Sequence, residues 1–178
     1  MKRLRKAIVL VLLAILAGAA FQLLFGGEAV APRLVSSQPV ALIGAESDEA
    51  VAVAPDGTIL AWFSVPEEST LPSLPLDAPP EGPRLRGPML EQARVLGAAP
   101  VALRPYVAGS YHGESGVDVE LKSGIELRFG EATQAARKWR AAAAVLADPS
   151  IESLDYVDLH APSRPAIGGS GHALPPIS

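Results

Sequence analysis

The side chains with the greatest chemical reach are few and scattered. His112, His160 and His172 fall in unrelated surroundings, with no HExxH pair and no spacing that would gather them on one metal. Ser110 lies in AGSYHG and Ser170 in GGSGH, and neither has the GxSxG setting that lifts a serine onto a strand-to-helix elbow. Cysteine is absent, which removes disulfides and thiolate metal sites. No GxGxxG or phosphate loop follows a strand pattern. Asp118, Glu120 and Glu126 sit on what reads as a solvated sheet face. These patterns predict no catalytic, metal or cofactor site and hence a non-enzymatic protein. A glycosidase-type carboxylate pair can come from distant parts of a chain, so an envelope hydrolase using scattered carboxylates or histidines stays open as an alternative.

The elements carrying these residues follow from periodicity. PVALIG, AVAVA and TILAWF read as short strands, and Asp56-Gly57 between the last two is a hairpin signal, because both residues tolerate the positive φ of a tight turn. Prolines at 66, 72, 75, 79, 80, 83 and 88 forbid a long helix or central strand between 64 and 88. Within that segment LPSLPL reads as a packed crossing, since its leucines interrupt a regular PxxP face. Pro88 suits the first turn of a helix whose apolar stripe is Met89, Leu90, Ala93, Leu96 and Gly97, and Pro100 closes it.

Residues 106–112 and 116–121 read as strands, and Lys122-Ser123-Gly124 as a three-residue hairpin loop. That loop predicts pairing of Leu121 with Ile125, Val119 with Leu127 and Val117 with Phe129, all on one buried face. On the wet face Asp118 meets Arg128, but Glu120 meets Glu126, a like-charge pair needing a cation or a shifted register. A helix over 131–147 places Ala135, Trp139, Ala142 and Leu146 against the sheet, with Arg137, Lys138 and Arg140 solvated. LDYVDLH, 154–160, is the expected last strand, with Tyr156, Asp158 and His160 on one face and Val157 and Leu159 on the other. Residues 161–178, rich in proline and glycine, are expected to form a mobile tail.

The N-terminus has another character. MKRLRK, 1–6, precedes nineteen uncharged residues, 7–25, in which Ile8, Leu12, Leu16, Phe21 and Phe25 belong to one apolar run. As a helix this run is roughly 28 Å long and matches a bilayer core. Four preceding cations predict a cytoplasmic N-terminus and an extracytoplasmic body. The run is longer than a usual signal core, so an uncleaved anchor is expected, with a signal peptide cleaved near Ala20 as the alternative. Without those four cations, eleven basic residues face 19 acidic ones, a net of −8 that disfavours nonspecific nucleic-acid binding.

The order of elements resembles the extracytoplasmic β-domain of the FtsQ/DivIB cell-division family. The resemblance rests on QPVALIGAESDEAVAVAPDGTIL, LPSLPL, MLEQARVLGAAP, VDVELKSGIELRFG, the helix with Lys138, and YVDLHAPSRPAIGG, covering 38 to about 169. It implies an α+β fold: a single transmembrane helix followed by a mixed or antiparallel sheet with covering helices. The expected divisions are a basic stub 1–6, an anchor 7–25, a linker 26–37, a β-domain 38–160 and a tail 161–178. The POTRA domain that the family places between anchor and β-domain has no counterpart in residues 26–37, so nothing resting on POTRA contacts carries over.

The resemblance implies a bitopic divisome scaffold at the septum. Such a scaffold helps regulate septal cell-wall synthesis through membrane partners of the FtsB/DivIC and FtsL type. A last strand at a sheet edge offers unpaired amides and carbonyls that a partner segment can complete. The partner-binding residues expected on this reading are Tyr156, Val157, Asp158, Leu159, His160 and Arg164, with the contact extending from Ala161 into Ile167. A secreted or anchored module binding wall polymer through Trp62 and exposed tyrosines stays open as a further alternative.

Overall fold

Alternating apolar residues carry the chain into strand from Ala41 in the computed structural model, which describes residues 38–45 and 49–176. All of these fall in the unit Ser36–Ser178. The expected stub, anchor and linker, 1–37, lie outside the described residues, among which no helix is long and apolar enough to cross a membrane.

Strands β1 (Ala41–Ile43), β2 (Val51–Val53) and β3 (Ile59–Leu60) form an antiparallel ribbon in that order. The Asp56-Gly57 turn closes as expected: Gly57 takes φ 82, and the Thr58 N–H donates to Asp56 Oδ1 at 3.0 Å. Helix α1 (Gly87–Gly97) follows the proline-rich stretch, with Pro88 in its first turn.

The LPSLPL segment is the packed crossing its leucines predict, with Leu74 buried. It uses only the backbone groups that proline leaves available. The Leu42 N–H donates to Pro72 O at 2.9 Å and the Leu74 N–H to Leu42 O at 2.8 Å. On the other side the Ser73 N–H donates to Ala108 O at 3.1 Å and the Ser110 N–H to Ser73 O at 3.2 Å. One serine thus bridges β1 to the strand carrying Ala108 and Ser110, in parallel on both sides, joining the ribbon to a second sheet.

That second sheet runs β4 (Val107–Gly113), β5 (Gly116–Leu121), β6 (Glu126–Gly130), β7 (Ser153–Asp158) and β8 (Ala166–Ala173). All neighbours are antiparallel except β6 and β7, which are parallel because helix α2 (Ala135–Leu146) crosses between them. The β5–β6 register is as read from the sequence at Val119–Leu127, Asp118–Arg128 and Glu120–Glu126. It departs at the far end, where a bulge pairs Val117 with Gly130 instead of Phe129. The Glu120–Glu126 clash is relieved by a cation, since Arg128 Nε bonds Glu126 Oε1 at 2.5 Å.

Both helices cover one sheet face. Trp139 is fully buried, its ring 5.0 Å from that of Phe129, and its Nε1–H donates to Val95 O of α1 at 2.7 Å. Helix α2 starts at Ala135, four residues later than periodicity predicts, because Gln134 adopts a left-handed φ of 57. Lys138 departs from the expected solvated face. It is buried, and its Nζ donates to Phe129 O at 2.6 Å and to Glu131 O at 2.8 Å, clamping the helix to the turn leaving β6. Burial lowers its pKa from the usual ammonium value.

Two expectations about the C-terminus are corrected. The strand predicted over 154–160 is not the last one and is not an edge, because β7 pairs with β6 on one side and β8 on the other. The expected tail supplies that β8, then Leu174 packs against the core and Tyr106 Oη donates to Pro176 O at 2.8 Å. Backbone pairing and this clasp order a segment whose composition alone argues against order.

Removing the Lys138 ammonium leaves two buried carbonyls without a donor. Lys138→Met is therefore expected to lower stability by about 1–3 kcal/mol, whereas Arg140→Met on the exposed side of α2 should stay within about 0.5 kcal/mol. Urea denaturation of the two variants checks this, and equal effects would contradict the clamp.

Candidate functional site

Residues that oppose one another across strands share a face, so the register alone assembles a polar surface opposite the helices. Tyr111 faces Asp118, Asp118 faces Arg128, Glu120 faces Glu126, Glu126 faces Tyr156, and Arg128 faces Asp158. Arg128 is the organising cation. It bonds Glu126 and stands 4.0 Å above the centre of the Tyr156 ring.

The titratable groups respond to this crowding. Burial, then the charge of Glu126, raises the Asp118 carboxyl above its usual value, against the opposing pull of Arg128, His160 and His112. Burial and a hydrogen bond with Glu126 push the Tyr111 phenol up to about 12. Burial would raise Asp158 as well, but the backbone and ring of His160, together with Arg128, hold it below its usual value. Its Oδ1 receives the His160 N–H at 2.9 Å and lies 2.8 Å from His160 Nδ1.

At the side of this surface runs β8. Among the described residues nothing pairs with its outer edge, so its outward backbone groups are available to another chain. The strand is built around a bulge: Leu154 pairs with His172 and Tyr156 with Gly168, leaving Asp155 alone opposite Gly169, Ser170 and Gly171. Asp155 Oδ1 fills the gap by accepting the Gly171 N–H at 2.6 Å.

The structure disperses the six residues expected from sequence. Tyr156 and Asp158 share the polar face and are half-buried, while His160 is exposed just beyond β7. Val157 and Leu159 are fully buried in the core, and Val157 is paired on both sides, to Leu127 and Ile167. Arg164 is exposed in the turn between β7 and β8, its N–H donating to Ala161 O at 2.8 Å. The exposed Ile167 ends the expected extension of the contact, whereas Asp155 and the 168–171 stretch lie outside the expected residues. The GGSG run was the available signal, since glycines inside a strand mark a bulge or a close approach as well as a flexible tail. Trp62, the aromatic of the wall-polymer alternative, is 72% exposed on the turn after β3, against Phe63.

The family model for the C-terminal domain of cell division protein FtsQ/DivIB matches residues 41–160. The chain belongs to the FtsQ/DivIB family. No curated protein matches it. The FtsQ/DivIB match spans both sheets through β7 and includes Tyr156, Asp158 and His160, and the edge strand β8 follows the matched residues. Membership places the chain among non-enzymatic cell-division proteins that act through protein–protein interactions.

Because the folded state holds the Asp118 proton more tightly than the unfolded chain does, its stabilising effect is present at acid pH and is lost as pH rises through the elevated folded pKa. Asp118→Asn is expected to raise the unfolding midpoint by ~2–4 °C at neutral pH and to lose that advantage near the usual carboxylate range. Thermal melts at the two pH values check this.

Proposed function

We propose that this chain is a membrane-anchored division scaffold that captures partner membrane proteins by strand addition at β8 and so helps regulate septal cell-wall synthesis. The observation that carries the reading is that, among the described residues, nothing pairs with the outer edge of β8, while β6 and β7 are paired on both sides. FtsQ/DivIB membership supports the division role. The apolar run 7–25 supports a single-pass anchor with a cytoplasmic N-terminus and an extracytoplasmic domain at the septum. Partners are of the FtsB/DivIC and FtsL type. A partner segment laid along β8 gains main-chain hydrogen bonds there.

The residues read from sequence take different parts in this proposal. Tyr156, Asp158 and His160 flank the edge on the polar face, and Arg164 lies in the turn leading into it. Val157 and Leu159 support it from the core.

Co-purification of the full chain from membranes, followed by mass spectrometry, tests the reading. Ile167→Pro in the edge strand should reduce the recovered partners by about tenfold, the scale of a single interface hot spot, while the helical circular-dichroism signal persists. Undiminished recovery with that variant would remove the edge from the proposal. A fluorescent fusion spread evenly around the envelope, with no midcell concentration, would remove the division role.

A further inference from the structure

The GGSG run does more than bend β8. A Cβ placed on Gly168 would lie 2.6 Å from both Cζ and the hydroxyl of Tyr156. One on Gly169 would overlap the Asp155 carboxylate, and one on Gly171 would stand 2.5 Å from Asp155 Oδ1. Gly169 also holds φ 79, a conformation that resists any side chain. Apart from Ser170, the edge strand therefore carries no side chains over this stretch. Their place is taken by side chains of the inner strand β7 that lie against the β8 backbone, Tyr156 at Gly168 and Asp155 at Gly169 and Gly171.

The two tips that arrive there are a phenol hydroxyl and a carboxylate. Asp155 Oδ1 is engaged by the Gly171 N–H, and among the described residues Oδ2 has no hydrogen-bond partner. Arg128 bonds Glu126 and covers the Tyr156 ring, and His160 Nδ1 lies against Asp158. We infer that Asp155 selects the guest on β8, taking an extended partner segment that carries arginine opposite Gly169 and Gly171. The inference rests on the strand-addition reading and names the chemistry of its partner.

The geometry favours arginine for three reasons. A guest strand lies ~4.8 Å outside β8, and the Asp155 carboxylate already lies against β8, so a long side chain closes the gap and a short one leaves it. Guanidinium offers several coplanar donors, which suit a carboxylate, whereas lysine offers a single point charge. A carboxylate at the same guest position would meet the Asp155 carboxylate, a repulsive element against wrong partners.

The test uses the full chain in zwitterionic phosphatidylcholine nanodiscs, with empty discs as background. Fluorescein-labelled ten-residue peptides alternate valine with either arginine or glutamate, and a third copies the arginine peptide with alternate amides N-methylated. Fluorescence anisotropy at low salt should show the arginine peptide binding about tenfold tighter than the glutamate peptide. The preference should vanish in Asp155→Asn, reverse in Asp155→Lys, and be absent for the N-methylated peptide, which cannot add as a strand.

Equal binding of the arginine and glutamate peptides, both lost on N-methylation, overturns the selection while leaving strand addition standing. Undiminished binding of the N-methylated peptide, or no binding of any peptide, overturns the edge and the selection together. If sedimentation shows β8 occupied by a second copy that the arginine peptide fails to displace, the selection also falls.

Discussion

The backbone of Ser73 is the junction on which the architecture depends. Strands of three, three and two residues are too short to stand as a ribbon in water, and the five-stranded sheet would otherwise begin at an uncovered β4. A single residue bonded to β1 through its neighbours and to β4 through its own amide and carbonyl removes both problems. Proline on each side leaves the necessary donors in place and prevents the segment from forming anything longer. With one border consumed by this junction, the free border of the second sheet lies at β8.

Behind the sheet, the two helices are tied to it by polar bonds as well as apolar packing. The Trp139 indole reaches the backbone of α1, Ser110 of β4 donates to the buried Gln92 of α1 at 3.0 Å, and Lys138 clamps α2 to the end of β6. Each satisfies a group that would be costly to bury alone. Directional bonds at these three points fix where the crossover returns, and hence the parallel placement of β7 beside β6 that brings Tyr156 next to Arg128.

Most of this was legible wherever a local pattern met a local rule. The Asp56-Gly57 turn, the 122–124 loop with most of its register, and the Trp139 stripe each follow from a few adjacent residues. The misreadings share a cause, which is that partners distant in the chain override local composition. Lys138 looked solvated because helical periodicity cannot see two carbonyls left over from β6 and the turn after it. Residues 161–178 looked mobile because glycine and proline disfavour order, yet here the glycines are required by side chains of β7 packed above them. The expected edge thus lies one strand inward of the observed one, and Val157 and Leu159, expected as contact residues, are core. Asp155 went unnoticed because its role exists only opposite a bulge.

The Tyr106 hydroxyl, bound to Pro176 just past the end of β8, has a mechanical meaning. A strand loose at its terminus peels away one bond at a time when something tugs on it. Here the outermost strand is tethered to the far side of its own sheet, so tension applied along it is shared by the whole row of hydrogen bonds to β7, as a rope made fast at both ends holds a load. A chain pulling on β8 would meet a strand that resists unzipping.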